Sequence, residues 1–322
     1  MSAATVHALF LEQRRAYIGG TDIGAITGIS PWASALSVYL DKTAPEQAEQ
    51  KDSLQMRRGL ALERFIADEF ERDPRYAGMV TYHPKPIVRT DWGFPAGASL
   101  DYVVAEREHP RTPVGILECK TAFRFGWRDW DEANADLPDH YFCQVQHYLA
   151  VTGLPVCYGA ADVGDEKLRI IPILADLPLQ QHLIEAGRRF WTEHVEKGVP
   201  PAPQGSKADS EALGRMYAET VPEPAIALPQ AEETLSTYLA WKFKAEEASR
   251  EAEKAKQELC AAMGEYENAV IGSWRATWRK QTTTRIDSKR LKAEKPEIAA
   301  EYAKTSESRP FKLTDIAEMK NA

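Results

Sequence analysis

The 322-residue sequence has no apolar run long enough to cross a bilayer, so no membrane-spanning helix is predicted. Residues Met1 to His7 lack the charged start and apolar stretch of an export signal. The four cysteines, at 119, 143, 157 and 260, form no CxxC pair and no zinc-like spacing. They read as free thiols in a reducing cytoplasm, and their placement argues against an iron–sulfur cluster. No Gly-Lys-Ser/Thr ending follows the glycine-rich segment near residue 20, which excludes a P-loop. There is no internal repeat or low-complexity tract. Basic charge is also short overall: the formal net charge of −8 weighs against a polyanionic partner for the chain as a whole. Local basic patches still decide contact, and metal-site carboxylates add to the acidic count. Hydrophobic content of 43% and charged content of 27% describe an ordinary globular protein of about two domains.

Three segments are expected: 1–198 with alternating strands and helices, a proline-rich linker or wrap over 199–229, and a helical then basic region over 230–322. Within the first, the patterns predict helices over 21–29, 33–41, 60–73, 138–151 and 179–197. Leu62, Phe65, Ile66 and Phe70 form the apolar stripe of the third. Strands are predicted over 79–89, 98–105, 114–121, 156–161 and 167–173, with the turn-rich 109–113 favouring an antiparallel hairpin. This order implies an α/β (α+β) fold, a mixed central sheet flanked by helices on both faces. Further on, Tyr238, Trp241, Ala245, Ala248, Ala252, Ala255, Leu259 and Ala262 recur with heptad spacing. That seam reads as a long helix packed on its own domain or in a helical hairpin, or as one that associates with a partner.

The chemistry concentrates in Gly97-Ala-Ser-Leu-Asp101 and Gly115-Ile-Leu-Glu-Cys-Lys120. Strand side chains alternate, so Glu118 and Lys120 share one face while Leu117 and Cys119 take the other. An acid and an amine at i and i+2 in an apolar strand are costly to bury without a purpose. A hard divalent cation supplies one, with oxygen ligands from Asp101 and Glu118 and with Lys120 beside a bound water or phosphate oxygen. Glu63 either faces the sheet or is a solvated helix residue. Gln144 and Tyr148, at i and i+4, share a helix face that either orients the attacking water or contacts the DNA backbone, with Tyr148 as a DNA-binding residue, or is a polar surface stripe. In Arg14-Arg15-Ala-Tyr-Ile-Gly-Gly-Thr21-Asp22, free N–H groups at a helix start could receive a phosphate, or Thr21 or Asp22 simply caps the helix.

Taken in order, Ile-Gly-Gly-Thr-Asp-Ile-Gly, Arg-Gly…Leu-Glu63, Ser-Leu-Asp101, Leu-Glu118-Cys-Lys120 and Tyr-Phe-Cys-Gln144-Val-Gln resemble the YqaJ-type viral recombinase family. This is the branch of the PD-(D/E)xK nucleases that includes the lambda-type phage exonuclease. The resemblance spans residues 10 to about 195. It implies a restriction-endonuclease-like core and an Mg²⁺-dependent 5′-to-3′ exonuclease (Mn²⁺ as the alternative ion). Such an enzyme acts on double-stranded DNA ends and leaves 3′ tails for recombination in a bacterial or phage-infected cell. It further implies Asp101, Glu118 and the Cys119 carbonyl as metal ligands, with Glu63 binding directly or through water. Lys120 would position or deprotonate the attacking water and Gln144 would orient the site, with Tyr148 beside it. Arg14 or Arg15, with Thr21, would hold the 5′ phosphate. Thr21 stands where the family usually has Ser, and Leu100 rather than Pro precedes Asp101. A homo-oligomer and a single-strand annealing protein are the expected partners, and no membrane is involved.

Arg124 and Arg128 follow the Glu-x-Lys strand and could line a substrate channel, with Phe125 or Trp127 as a duplex wedge or as local packing. Residues 270–322 carry 12 Lys/Arg against 7 Asp/Glu, interleaved with Trp274, Trp278 and Phe311. That composition suits DNA phosphates and unstacked bases, or a hairpin with a solvated basic face. The competing functional readings are a structure-specific or restriction-like endonuclease on the same core, and an inactive DNA-binding accessory protein.

Overall fold

The structure is a computed structural model that describes residues 13–44, 53–122, 129–134, 136–164, 166–222, 225–305 and 309–314. Arg124, Phe125, Trp127 and Arg128 lie outside the described residues. The chain divides into two compact units, Met1–Ala218 and Glu219–Ala322.

In the first unit the elements run α1 (Gly20–Ile26), α2 (Ala35–Thr43), α3 (Leu54–Arg72), β1 (Met79–Tyr82), β2 (Ile87–Arg89), β3 (Ala96–Ala98), β4 (Tyr102–Glu106) and β5 (Pro113–Thr121). They continue with α4 (Asp139–Thr152), β6 (Val156–Asp162), β7 (Arg169–Leu174), α5 (Leu177–Phe190) and α6 (Lys207–Met216). Five strands form one mixed sheet in the order β1-β4-β5-β6-β7. Only β5 and β6 pair in parallel in that sheet, and α4 is the crossover between them. The mixed α/β architecture expected from the sequence is the one observed.

Two strand assignments need correction. The span 79–89 is two strands in different sheets, because Pro84 and Pro86 interrupt the ladder between them. The span 98–105 is likewise two strands, with Asp101 in the bend that separates β3 from β4. Helix α3 starts earlier than expected, at Leu54, where the Ser53 side chain caps it by accepting from the Met56 N–H at 3.2 Å. Phe65 is exposed, and Ala67 takes the core position beside Ile66 and Phe70.

Strand alternation sorts the core into two layers. Leu117, Cys119, Tyr102 and Val104 face α3 and pack with Ile66 and Phe70. Ile116, Val103, Cys157 and Ile171 face the other way, toward α1, α4 and α5. Helix α4 begins after Pro138 and stops at Gly153, whose φ of 72° and N–H bond to the Leu149 carbonyl close the last turn. Residues 207–216, inside the segment read as a linker or wrap, form α6. Ser206 caps it, and it packs against α2.

The second unit holds the 32-residue helix α7 (Glu232–Met263), the hairpin β8 (Asn268–Ile271) and β9 (Trp274–Thr277), and the short helices α8 (Ser288–Glu294) and α9 (Pro296–Glu301). The heptad seam is a continuous helix as expected. Its largest side chains, Tyr238, Trp241 and Leu259, are exposed.

Candidate active site

Strand β5 carries the centre of the site. Glu118 and Lys120 point to the α4 side, as the two-residue period requires, and Lys120 Nζ donates to Glu118 Oε1 at 2.5 Å. Glu118 is only 3% exposed. Helix α4 lies over this face and lowers Gln144 onto it: Gln144 Nε2 donates to the same Glu118 Oε1 at 2.6 Å and to Tyr148 Oη at 3.1 Å. Oε1 therefore takes two donors, while Oε2 is buried with no hydrogen-bond partner among the described residues. Asp101 is fixed from the other side of the bend, where its Oδ2 accepts from the Cys119 N–H at 2.8 Å. That bond ties the β3–β4 bend to the middle of the Glu-x-Lys strand.

Charge around this centre is out of balance. Burial and the Asp101 carboxylate push Glu63 up to about 7, and the same two causes raise Glu118 despite the opposing pull of Lys120. Burial alone would lower Lys120, but Glu118 and Asp101 outweigh it, so its pKa is raised and it stays an ammonium. Three carboxylates thus crowd one lysine, and a divalent cation would relieve the repulsion that raises Glu63 and Glu118. The donors are oxygens, which suits a hard ion, and the unpartnered Glu118 Oε2 gives it an anchoring atom. Glu63 reaches the centre from α3, on the opposite face of the sheet, where its carbonyl faces Cys119 Sγ at 3.7 Å. Among the described residues no three His, Cys, Asp or Glu side chains close into a cluster that could by itself hold an ion. The fit therefore rests on two carboxylates and a main-chain carbonyl, with Glu63 at longer range.

The N-terminal motif lies against α4. A Cβ added at Gly20 would sit 2.6 Å from Tyr148 Cε1 and 2.9 Å from Gln144 Cγ, so the close approach of α1 to α4 requires glycine there. Arg14 Nη2 donates to Thr21 Oγ1 at 2.7 Å, which joins two of the expected phosphate-binding residues, and Arg15 is half-buried beside Arg14 in the chain. Asp22 accepts from the Gly19 N–H at 2.9 Å at the start of α1. Tyr148 is buried, and its hydroxyl meets Gln144; it belongs to the interior of the site and not to its rim.

Several participants carried no distinguishing signal in the sequence. Lys42, an ordinary last-turn lysine of α2, reaches Asp22 Oδ2 and the Arg14 carbonyl, each at 2.7 Å. Burial opposes ionisation of Asp22, yet Lys42 and Arg14 outweigh it and its pKa falls. Tyr141, one turn before Gln144, sets its ring 5.1 Å from Lys120 Nζ. His83 places Nδ1 2.7 Å from the Asp101 carbonyl. His147 is buried under β3, with Nε2 3.1 Å from the Gly97 carbonyl, and Gly97 itself lies flat under the Tyr17 ring. The contrast is Gln146, whose amide joins Leu174, Asp176 and Gln180 and so fastens α4 to α5.

This ordered set of motifs matches known proteins. The YqaJ-like viral recombinase domain matches residues 9–155. The chain is 30% identical over 312 residues, 96% of its own length and 94% of the relative's, to the uncharacterized protein YqaJ of Bacillus subtilis (strain 168). Among solved structures it is similar to an alkaline exonuclease, LHK-Exo, from Laribacter hongkongensis at 17% identity and a TM-score of 0.47, over 66% of this chain and 98% of that one. A phage related exonuclease from Haemophilus somnus 129PT is similar at 10% identity and a TM-score of 0.42, over 59% and 99% of the two chains. With a relative aligned along nearly its whole length and the domain match spanning Arg14 to Tyr148, the chain belongs to the YqaJ-like viral recombinase domain family.

Proposed function

We propose that the chain is a divalent-metal-dependent DNA exonuclease that digests duplex ends 5′ to 3′ and leaves 3′ single-stranded tails for recombination. The observation that carries this reading is the convergence of Asp101, Glu118, Lys120 and Gln144 on one point of β5, with a buried carboxylate oxygen that has no hydrogen-bond partner among the described residues. Family membership agrees with it.

Asp101, Glu118 and the Cys119 carbonyl would hold Mg²⁺, or Mn²⁺ in its place, with Glu63 binding directly or through water. A bound ion of this kind neutralises the phosphate and makes an adjacent water acidic. The protein's own groups do the rest. Gln144 holds Glu118 Oε1, so that Oε2 stays aimed away from Lys120. The charged Lys120 donates to a phosphate oxygen and stabilises the charge that builds there during attack. Arg14 with Thr21 receives the terminal 5′ phosphate at the edge of α1, and Lys42 fixes Asp22 beneath them. Arg124 and Arg128 belong to the same proposal as channel residues, and a homo-oligomer and an annealing protein as its partners.

The test uses linear and closed circular duplexes with labelled 5′ or 3′ ends, in Mg²⁺ or EDTA. Metal-dependent loss of linear DNA from phosphorylated 5′ ends is the expected result. Rapid cutting of closed circles would replace this reading with the endonuclease on the same core. Arg14→Ala with Arg15→Ala separates the two, because it should cripple end-dependent digestion and spare internal cutting.

A further inference from the structure

The hairpin of the second unit carries a surface that the hydrolytic site does not use. Strands β8 and β9 are joined by the two-residue turn Gly272-Ser273, with φ 59° at Gly272, and Ile271 pairs directly with Trp274. The ladder continues past β9 through the Trp278 N–H bond to the Glu267 carbonyl at 2.9 Å. Trp274, Ala276 and Trp278 therefore share one face. Both tryptophans stand out from it, Trp274 at 79% and Trp278 at 53% exposed. The opposite face is cationic: Arg275 and Arg279 donate to the same Asn268 Oδ1, at 3.1 and 3.3 Å, which holds two guanidinium groups side by side. Glu267 lies 3.7 Å from Arg279. Residues 274–292 contain seven Lys/Arg and a single Asp, in a chain that is acidic overall.

We propose that the β8–β9 hairpin is a binding platform for single-stranded DNA. Exposed indole rings have their counterpart in unpaired bases, whose faces a duplex conceals in its stack. The adjoining cationic face and the basic segment after it attract the phosphates of the same strand. Four residue steps along the extended chain separate the two tryptophans by about 13 Å, so each takes a different base and neither clamps the other's. In choosing DNA as the strand, this rests on the proposed function, whose product is a single-stranded tail. The platform itself is built without any residue of the hydrolytic site.

The experiment titrates the full chain in EDTA with an unstructured oligodeoxythymidylate, read by tryptophan quenching and by anisotropy of a labelled oligonucleotide. Trp274→Ala with Trp278→Ala is expected to weaken binding at least tenfold and to remove most of the quench. The Phe pair at the same positions should stay within about threefold of wild type, because a ring remains to stack. Arg275→Ala with Arg279→Ala should reduce the slope of log affinity against log salt by about 1.4, at 0.7 per phosphate contact. Oligonucleotide binding by the Trp-to-Ala pair at wild-type affinity overturns the platform, as does a quench that persists in it. If hydrolysis is absent from wild type but oligonucleotide binding follows these expectations, the proposed function fails and the platform stands.

Discussion

One nitrogen of Gln144 serves two acceptors, and the consequences of losing it can be stated separately. In Gln144→Leu, Glu118 Oε1 keeps only Lys120, and the carboxylate is free to rotate. Loss of such an orienting partner lowers turnover by roughly 10–100-fold, with DNA affinity nearly unchanged. Steady-state rates and binding measured in EDTA would separate the two effects. His147 has a different consequence, since burial holds its pKa down at about 4 against an ordinary 6.5. The unfolded chain therefore binds this proton first as pH falls. The stability it contributes is complete above 6.5 and is lost between 6.5 and 4, by roughly 3 kcal/mol. Urea titrations at pH 7.5, 5.5 and 4.5 should give His147→Gln a shallower loss than wild type over that window; equal slopes would contradict it. The Glu-x-Lys alternation was legible in the sequence because two-residue periodicity leaves no choice of face. Lys42 and His147 were not, because the partners that make them special lie 20 and 50 residues away.

At the scale of elements, the contact of α1 with α4 is a close approach that bears on the site. Gly20→Ala would drive a methyl group into Tyr148 and Gln144. The expected cost is about 1–3 kcal/mol of stability, together with a fall in turnover like that of Gln144→Leu, because the same side chain is displaced. A normal rate with a normal melting temperature would show that α1 does not press on the site. The sequence marked Gly19-Gly20 as a helix start but not as a packing requirement, since the opposing surface is supplied by a helix more than a hundred residues later. The strand breaks were missed for a related reason. Residues 98–105 keep an apolar pattern through Asp101, and only the bond from Cys119 N–H shows why the chain must bend there. Phe65 looked like a core residue by spacing, yet it falls on the exposed side of α3, where Ala67 fits closer to the sheet.

For the molecule as a whole, the division after Ala218 has a proteolytic signature. Val221, Ile226 and Leu228 are exposed apolar side chains next to the boundary. Limited digestion with elastase should cut first between residues 219 and 229 and release two resistant fragments, identified by mass. First cleavage inside the five-stranded sheet would contradict that division. Helix α7 and the hairpin were readable from heptad spacing and from clustered basic and aromatic residues. Where the first unit ends was less readable, because prolines near 200 suggested an earlier boundary and the capped helix α6 was hidden among them.

Helix α4 does two jobs. It is the connection that lets β6 lie parallel to β5, and it also carries Gln144 and Tyr148 over Glu118. The reactive geometry is therefore complete only when α4 is docked over β5. A polypeptide still emerging, or one caught with β6 undocked, has its acids and its lysine but no roof above them. Recovery of catalysis after dilution from denaturant should coincide with the slowest step of sheet assembly and never precede it.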